Sequence, residues 1–310
     1  MKKKTIYEIK SLYRDDFRVT GYEFGTGKKS VCIVGSMRGN EVQQLYICSQ
    51  LVKRLKKIEE DGKINKGHKI LVVPSINPYS MNIKKRFWPT DNTDINRMFP
   101  GYNLGETTQR IAAGVFGVIK EYQYGMQFAS FYMPGKFTPH IRMMKAGFEN
   151  VKLAKKFGMP YVVLRNTRPY DTTTLNYNWQ IWETNAFSIY TTTTEEIDRE
   201  SAGMAIRSIL TFLSKEEIVD YHGHDGYISL VVDDTDMIPV RTKVAGIFEG
   251  VVRVGDEVVK GQVLARIINP YEGQVEETLT SPVDGIVFFA HDAPLTYANT
   301  AVYKLVVREA

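Results

Sequence analysis

An α/β unit built on a mostly parallel mixed sheet over residues 1–225, followed by an all-β unit over residues 226–310, is the fold class this sequence predicts. Two observations carry the first part. Ser30–Gly35 is a short β-branched run that stops at a glycine, Glu41–Lys57 repeats apolar residues at three-to-four spacing, and Lys69–Pro74 is again strand-like. Strand, helix and strand in that order make a right-handed crossover between parallel strands, and the same alternation recurs further along. One observation carries the second part: from about Met237 the chain turns to closely spaced short strands broken at glycines, with no helical period left.

Taken in order, the helix over Glu41–Lys57 gathers Val42, Leu45, Tyr46, Cys48, Val52 and Leu55, and collects basic residues at its C-terminal end, where the dipole favours them. Further helices are expected around Gln109–Tyr122, Gly147–Phe157 and Ile197–Leu213, with Glu195 and Glu196 at the start of the last. Further strands are expected at Tyr124–Phe131, Tyr161–Leu164 and Ala186–Thr191. Parallel sheets bind ligands at the carboxyl ends of their strands, so the loops after Val34 and Val73 are where chemistry is expected. Cys32 and Cys48 sit in an apolar strand and a helix, which suits reduced buried thiols.

With 43% apolar residues in 310, the chain can fill sizeable cores. Its 40 basic against 35 acidic residues are dispersed and form no arginine-rich helix, so no nucleic-acid partner is expected. The opening MKKKTIYEIK leads into no apolar stretch, and no run of about 18 apolar residues follows, so the expectation is a cytoplasmic protein without a membrane partner.

In the β unit, Ala245–Val252 and Pro282–Val287 form a faint internal repeat, and GDEVVKGQVLARI with SPVDGIVFFAH resembles the biotinyl/lipoyl-like barrel-sandwich fold. Carrier domains of that fold present a modified lysine between their halves. Ile268–Ser281 has none, so lipoylation is not expected and the unit reads as a structural or interface module.

Three motifs remain. Gly35-Ser36-Met37-Arg38-Gly39-Asn40-Glu41 follows the first core strand. Ile76-Asn77-Pro78, Arg86 and Thr93-Asp94-Ile95-Asn96-Arg97-Met98-Phe99-Pro100-Gly101 form a longer pattern, and Gln109-Arg110-Ile111-Ala112-Ala113 comes after it. Together they resemble the succinylglutamate desuccinylase/aspartoacylase family of zinc-dependent deacylases, which are similar to the zinc carboxypeptidases. The resemblance implies a three-layer α/β/α carboxypeptidase-like domain, a hydrolase acting on C–N amide bonds of N-acyl amino acids, and zinc as cofactor. Such hydrolysis needs three protein ligands, an open metal position and a base.

By that resemblance Arg38 stands where the first zinc-ligating histidine belongs, Glu41 keeps the glutamate ligand, and Ala129 falls at the second histidine. Tyr190 falls at the catalytic glutamate. A guanidinium offers donors only and cannot ligate zinc. The substrate-binding positions Arg86, Asn96 and Arg97 are kept, and Pro139-His140-Ile141-Arg142 resembles a substrate-loop segment, so His140 and Arg142 are further candidates.

Three required groups lost together point to a pseudoenzyme without tightly bound zinc that keeps a pocket for a small carboxylate-containing ligand. An Arg38–Glu41 ion pair is expected to fill the vacated metal position. Two other readings stay open: an active metal-dependent amidohydrolase whose metal is held by Glu41, His140 and a further residue, and a non-catalytic scaffold that self-associates, with the β unit in the contacts. Tyr221-His222-Gly223-His224-Asp225 reads as a polar connecting turn, with metal binding as its alternative.

Overall fold

Alternation along the runs Val31–Val34 and Ile70–Val73 sends successive side chains to opposite faces of one sheet. Val31, Ile33, Ile70 and Val72 enter one core, and Cys32, Val34, Leu71 and Val73 another. In the computed structural model, which describes residues 1–12, 15–131 and 133–308, these runs are the centre of a nine-stranded mixed sheet. The first ten strands are β1 (Lys2–Ile9), β2 (Phe17–Gly25), β3 (Gly27–Ser36), β4 (Gly67–Ser75), β5 (Tyr124–Phe128), β6 (Lys136–Phe137), β7 (His140–Lys145), β8 (Tyr161–Asn166), β9 (Asn185–Tyr190) and β10 (Leu230–Asp233). All but β6 join this sheet, in the order β1-β2-β4-β3-β5-β9-β7-β8-β10. β4, β3, β5 and β9 run parallel, whereas β7 is antiparallel to β9 and sets His140 opposite Tyr190.

The helices are α1 (Val42–Glu60), α2 (Pro78–Asn82), α3 (Thr107–Ile119), α4 (Val151–Lys155), α5 (Leu175–Ile181) and α6 (Arg199–Lys215). Leu51 and Leu55 of α1 pack with Ile209, Phe212 and Leu213 of α6 on one sheet face. Ile111 and Val115 of α3 pack with Leu175 and Trp179 of α5 on the other, which gives three layers. Cys32 and Cys48 are free and buried in these two separate cores.

Several expected boundaries shift. The helix expected over Gly147–Phe157 is confined to α4, and the strand expected to reach Phe131 stops at Phe128. α6 begins at Arg199 because the Asp198 carboxylate accepts from the Glu200 and Ser201 backbone N–H groups, so Glu195 and Glu196 lie in the preceding loop instead of starting the helix.

After residue 225 the chain first returns to the large sheet, where β10 pairs in parallel with β8. It then forms β11 (Ile238–Arg241), β12 (Gly246–Gly250), β13 (Glu257–Val258), β14 (Val263–Ile268), β15 (Val275–Thr280), β16 (Gly285–Ala290), β17 (Leu295–Thr296) and β18 (Ala301–Val307). These make two antiparallel sheets around Leu264, Ile267, Val287, Val302 and Leu305. The short β6 pairs with β16 and ties the two units together. Along the join, Tyr161, Val163 and Val232 of the large sheet pack on Phe288, Phe289 and Val306 of the β unit. The second face of the large sheet is therefore covered by α3 and α5 on one half and by the β unit on the other. Among the described residues no helix is long and apolar enough to cross a membrane.

At the carboxyl end of β3 the backbone passes very close to β4. A Cβ added at Gly35 would lie 2.3 Å from the Pro74 carbonyl oxygen and 2.8 Å from Cys48 Sγ. Since the nearest obstacle is backbone, Gly35→Ala is expected to destabilise the fold by about 1–3 kcal/mol, read as a lowered urea midpoint at unchanged slope.

Candidate functional site

The loop leaving β3 turns sharply into α1. Gly39 is needed there, because an added Cβ would stand 2.2 Å from the backbone of Ser80 and Lys85. Glu41 precedes the first turn of α1 but does not cap it. Its carboxylate folds back, with Oε2 accepting from the backbone N–H of Met37 (2.7 Å) and Arg38 (3.1 Å). Oε1 accepts from Arg38 Nη1 at 3.0 Å.

Arg38, only 4% exposed, spans two carboxylates. Its Nε and Nη2 fork onto Asp94, with Nη2 2.8 Å from Oδ2, and Nη1 also donates to Ser130 Oγ at 2.8 Å. Burial alone would lower the affinity of the guanidinium for its proton, but Glu41 and Asp94 together outweigh that and raise its pKa above the ordinary arginine value. It is a permanent cation enclosed by two anions.

Asp94 joins this ion group to the Asn96-Arg97 turn. Its Oδ1 accepts from Asn96 N–H at 3.1 Å, and Asn96 Oδ1 in turn accepts from Leu175 N–H, the first residue of α5, at 3.1 Å. Below them lies a cavity of about 40 Å3 lined by Arg38, Asn96, Arg97, Ala129, Arg165 and Tyr190, with Gln127 and Asn176 also on its wall. Gln127 Oε1 and both side-chain polar atoms of Asn176 are buried there with no hydrogen-bond partner among the described residues. Ala129 presents a methyl group, as its sequence position implies, and its carbonyl accepts from Gln44 Nε2.

The other candidates are placed around this cavity. Arg86 is half-buried on the wall of a separate opening of about 500 Å3, with Asn40, Phe131 and Glu195, where burial and then the Arg38 charge lower its pKa. Lys84 and Lys85, just before it in the chain, are exposed and line neither cavity. Arg142 lies 4.4 Å from the centre of the Tyr190 ring, facing a third cavity toward the β unit.

His140 is wholly buried and lines none of these three cavities. Its Nδ1 lies 2.7 Å from the Thr138 carbonyl, which fixes Nδ1 as the donor, and its ring stacks on Tyr190 at 4.6 Å. It braces the tyrosine ring. His222 and His224 are exposed in the connection before β10, where His222 pairs with Asp220. Among the described residues no three His, Cys, Asp or Glu side chains gather as a metal-binding group.

Sequence reading missed Ser130, Arg165 and Asn176. Ser130 follows directly on Ala129, which the resemblance sets at a ligand position, and Arg165 is a cation at the end of the apolar run Tyr161–Leu164, a signal that was available.

Comparison with known proteins fits this geometry. Residues 27–189 match the succinylglutamate desuccinylase/aspartoacylase catalytic domain. The chain belongs to this family. Among its relatives is the N-alpha-acetyl-L-2,4-diaminobutyric acid deacetylase of Halomonas elongata, 24% identical over 268 residues that cover 80% of this chain and 73% of the relative. The fold is shared with a succinylglutamate desuccinylase/aspartoacylase from Rhodobacter sphaeroides, at a TM-score of 0.77 and 20% identity over 95% of this chain and 90% of that one. It is shared also with the product-bound ectoine utilization protein EutE (DoeB) of Ruegeria pomeroyi, at 0.77 and 19% over 94% and 90%. The succinylglutamate desuccinylase/aspartoacylase family is zinc-dependent in general.

Two predictions follow from the geometry of this family member. Arg38→Ala would leave the Glu41 and Asp94 carboxylates facing each other without a cation, and is expected to cost about 3–5 kcal/mol in urea unfolding. His140 is held neutral, its pKa pushed well below 6.5, first by burial and then by Arg142. A depressed folded-state value means that the unfolded chain binds the extra proton first. Stability is then complete above about pH 6.5 and declines as pH falls below it, by up to ~1.4 kcal/mol per pH unit for one proton. Urea midpoints from pH 7.5 to 5.5 should fall more steeply for the native protein than for His140→Phe, and identical slopes would place the acid sensitivity elsewhere.

Proposed function

We propose that this protein is a non-hydrolytic member of the family that binds an N-acyl amino acid or a similar small carboxylate without cleaving it. The observation that carries this reading is the guanidinium of Arg38 fixed between Glu41 and Asp94. The residues present do not fit a zinc ion. Position 38 offers no lone pair, position 129 offers a methyl group, and the one retained ligand, Glu41, is fully engaged by Arg38 and two backbone N–H groups. Arg38 sets one positive charge against two carboxylates and activates no water, so the cations that face the cavity as anion binders are Arg97 and Arg165.

Tyr190 deepens the loss, since a phenol does not serve as the carboxylate base that amide hydrolysis requires. Ligand binding draws support from Asn96 and Arg97 on the cavity wall and from the unpartnered Gln127 and Asn176 atoms. At roughly 10–15 Å3 per water, a space of about 40 Å3 takes a carboxylate or a few waters. For the C-terminal unit we retain the barrel-sandwich reading in a structural role.

Two measurements test the proposal. Protein purified without chelator should contain zinc far below stoichiometry, and Arg38→His combined with Ala129→His should gain zinc binding in a titration; near-stoichiometric native zinc would overturn the reading. N-succinylglutamate should raise the melting temperature by native-state binding, the rise should vanish in Arg97→Ala, and NMR should show the amide bond intact. Released succinate would establish an active amidohydrolase instead.

A further inference from the structure

A third cavity, of about 220 Å3, opens where the large sheet meets the β unit; it shares Ser130, Arg165 and Tyr190 with the carboxylate cavity, but its far wall, with Arg168, Asp234 and Lys304, plays no part in the reading above. Four cations reach its wall: Arg142 from β7, Arg165 from the end of β8, Arg168 from the loop beyond, and Lys304 from β18. Among the described residues one carboxylate, Asp234, lines it with them.

The internal pairing leaves a defined remainder. Lys304 is matched by Asp234 at 3.0 Å, and Arg165 by Asp171 at 3.1 Å. Arg142 and Arg168 have no carboxylate within salt-bridge distance among the described residues. Arg168 donates to Tyr170 Oη at 2.9 Å. Arg142 touches Tyr190, with Nη1 3.4 Å from its Oη, and its Nε is buried without any hydrogen-bond partner among the described residues. Asp234 reports the same excess: burial would raise its pKa, yet Lys304, Arg142 and Arg165 together hold it below the ordinary carboxylate value.

We propose that this seam, which meets the carboxylate cavity at that shared wall, is a further ligand subsite, specific for a phosphomonoester dianion whose organic part lies against the aromatic side of the cavity. Two unmatched guanidiniums balance two negative charges. The cations arrive from separate elements in both units, which suits the three outer oxygens of a phosphoryl group better than the two coplanar oxygens of a carboxylate. Phe131, Phe137 and Tyr190 supply the apolar side, with Phe131 stacked between the other two rings at 4.0 and 5.4 Å. Because the wall includes Lys304 of the β unit and Arg142 of the sheet, an occupant bridges the two units.

Phenyl phosphate, titrated calorimetrically into the intact protein, is the probe. Saturable binding is expected in the native protein, at least tenfold weaker in Arg168→Ala, whose side chain is exposed and whose loss should leave the fold intact by circular dichroism. Arg97→Ala, which tests the carboxylate cavity, should leave phenyl phosphate affinity unchanged, so failure of one site is distinguishable from failure of the other. No saturable binding by the native protein, or unchanged affinity in Arg168→Ala, would overturn the site. Phthalate binding as tightly as phenyl phosphate would overturn the phosphoryl assignment.

Discussion

The Glu41–Arg38–Asp94 ion group is the interaction on which the rest of this site depends. Enclosing a guanidinium is costly because the charge loses its water, and the cost is offset only where several acceptors meet it in good geometry. Here two carboxylates and the Ser130 hydroxyl do so. The group also joins three separate pieces of chain, namely the loop after β3, the Asn96-Arg97 turn and the end of β5. Through Asn96 it reaches the start of α5. One side chain, Arg38, thus ties these segments together from within.

The scaffold and the site answer to different physical demands. The sheet, the crossovers and the β unit are held by apolar packing, whose demands are volume and periodicity. Relatives at about 20% identity accordingly share the fold over nearly the whole chain. The site makes stricter demands, because a buried carboxylate such as Glu41 needs a cation whether or not chemistry occurs. An apolar residue at position 38 would leave both carboxylates without this partner, whereas the Arg38 guanidinium donates to each and offsets part of their charge.

The seam between the two units is a second consequence of the architecture. The sheet face changes cover from helices to the β unit near Tyr190, and the two covers do not close completely. Polar side chains of β7, β8 and β9 that point to this face, among them Arg142, Arg165 and Ser188, therefore meet open space where apolar core would otherwise lie. His140, on the same face, is sealed between Tyr190 and Phe288 and behaves as core.

Periodicity and motif by themselves determined much of this protein. The runs Ser30–Gly35 and Lys69–Pro74 with the helix between them were legible because one crossover repeats both the strand and the helix period. The Arg38–Glu41 pairing was legible because three residues of spacing bring those side chains together locally. What tertiary structure decided involves residues distant in sequence. Asp94, 56 positions after Arg38, accepts from two of its three nitrogens, and Ser130 and Asn176 reach the cavity only through folding. β10 rejoins the large sheet across the β8–β10 pairing, and the four cations of the seam converge from β7, β8, its following loop and β18. α5 is a short turn of Asn, Tyr and Trp, poor helix formers in isolation, held by the Thr174 cap and by burial of Leu175 and Trp179. Local propensity fixes elements that a few neighbouring residues can stabilise, whereas charge compensation and buried hydrogen bonding depend on which distant groups the packed chain brings within a few ångströms.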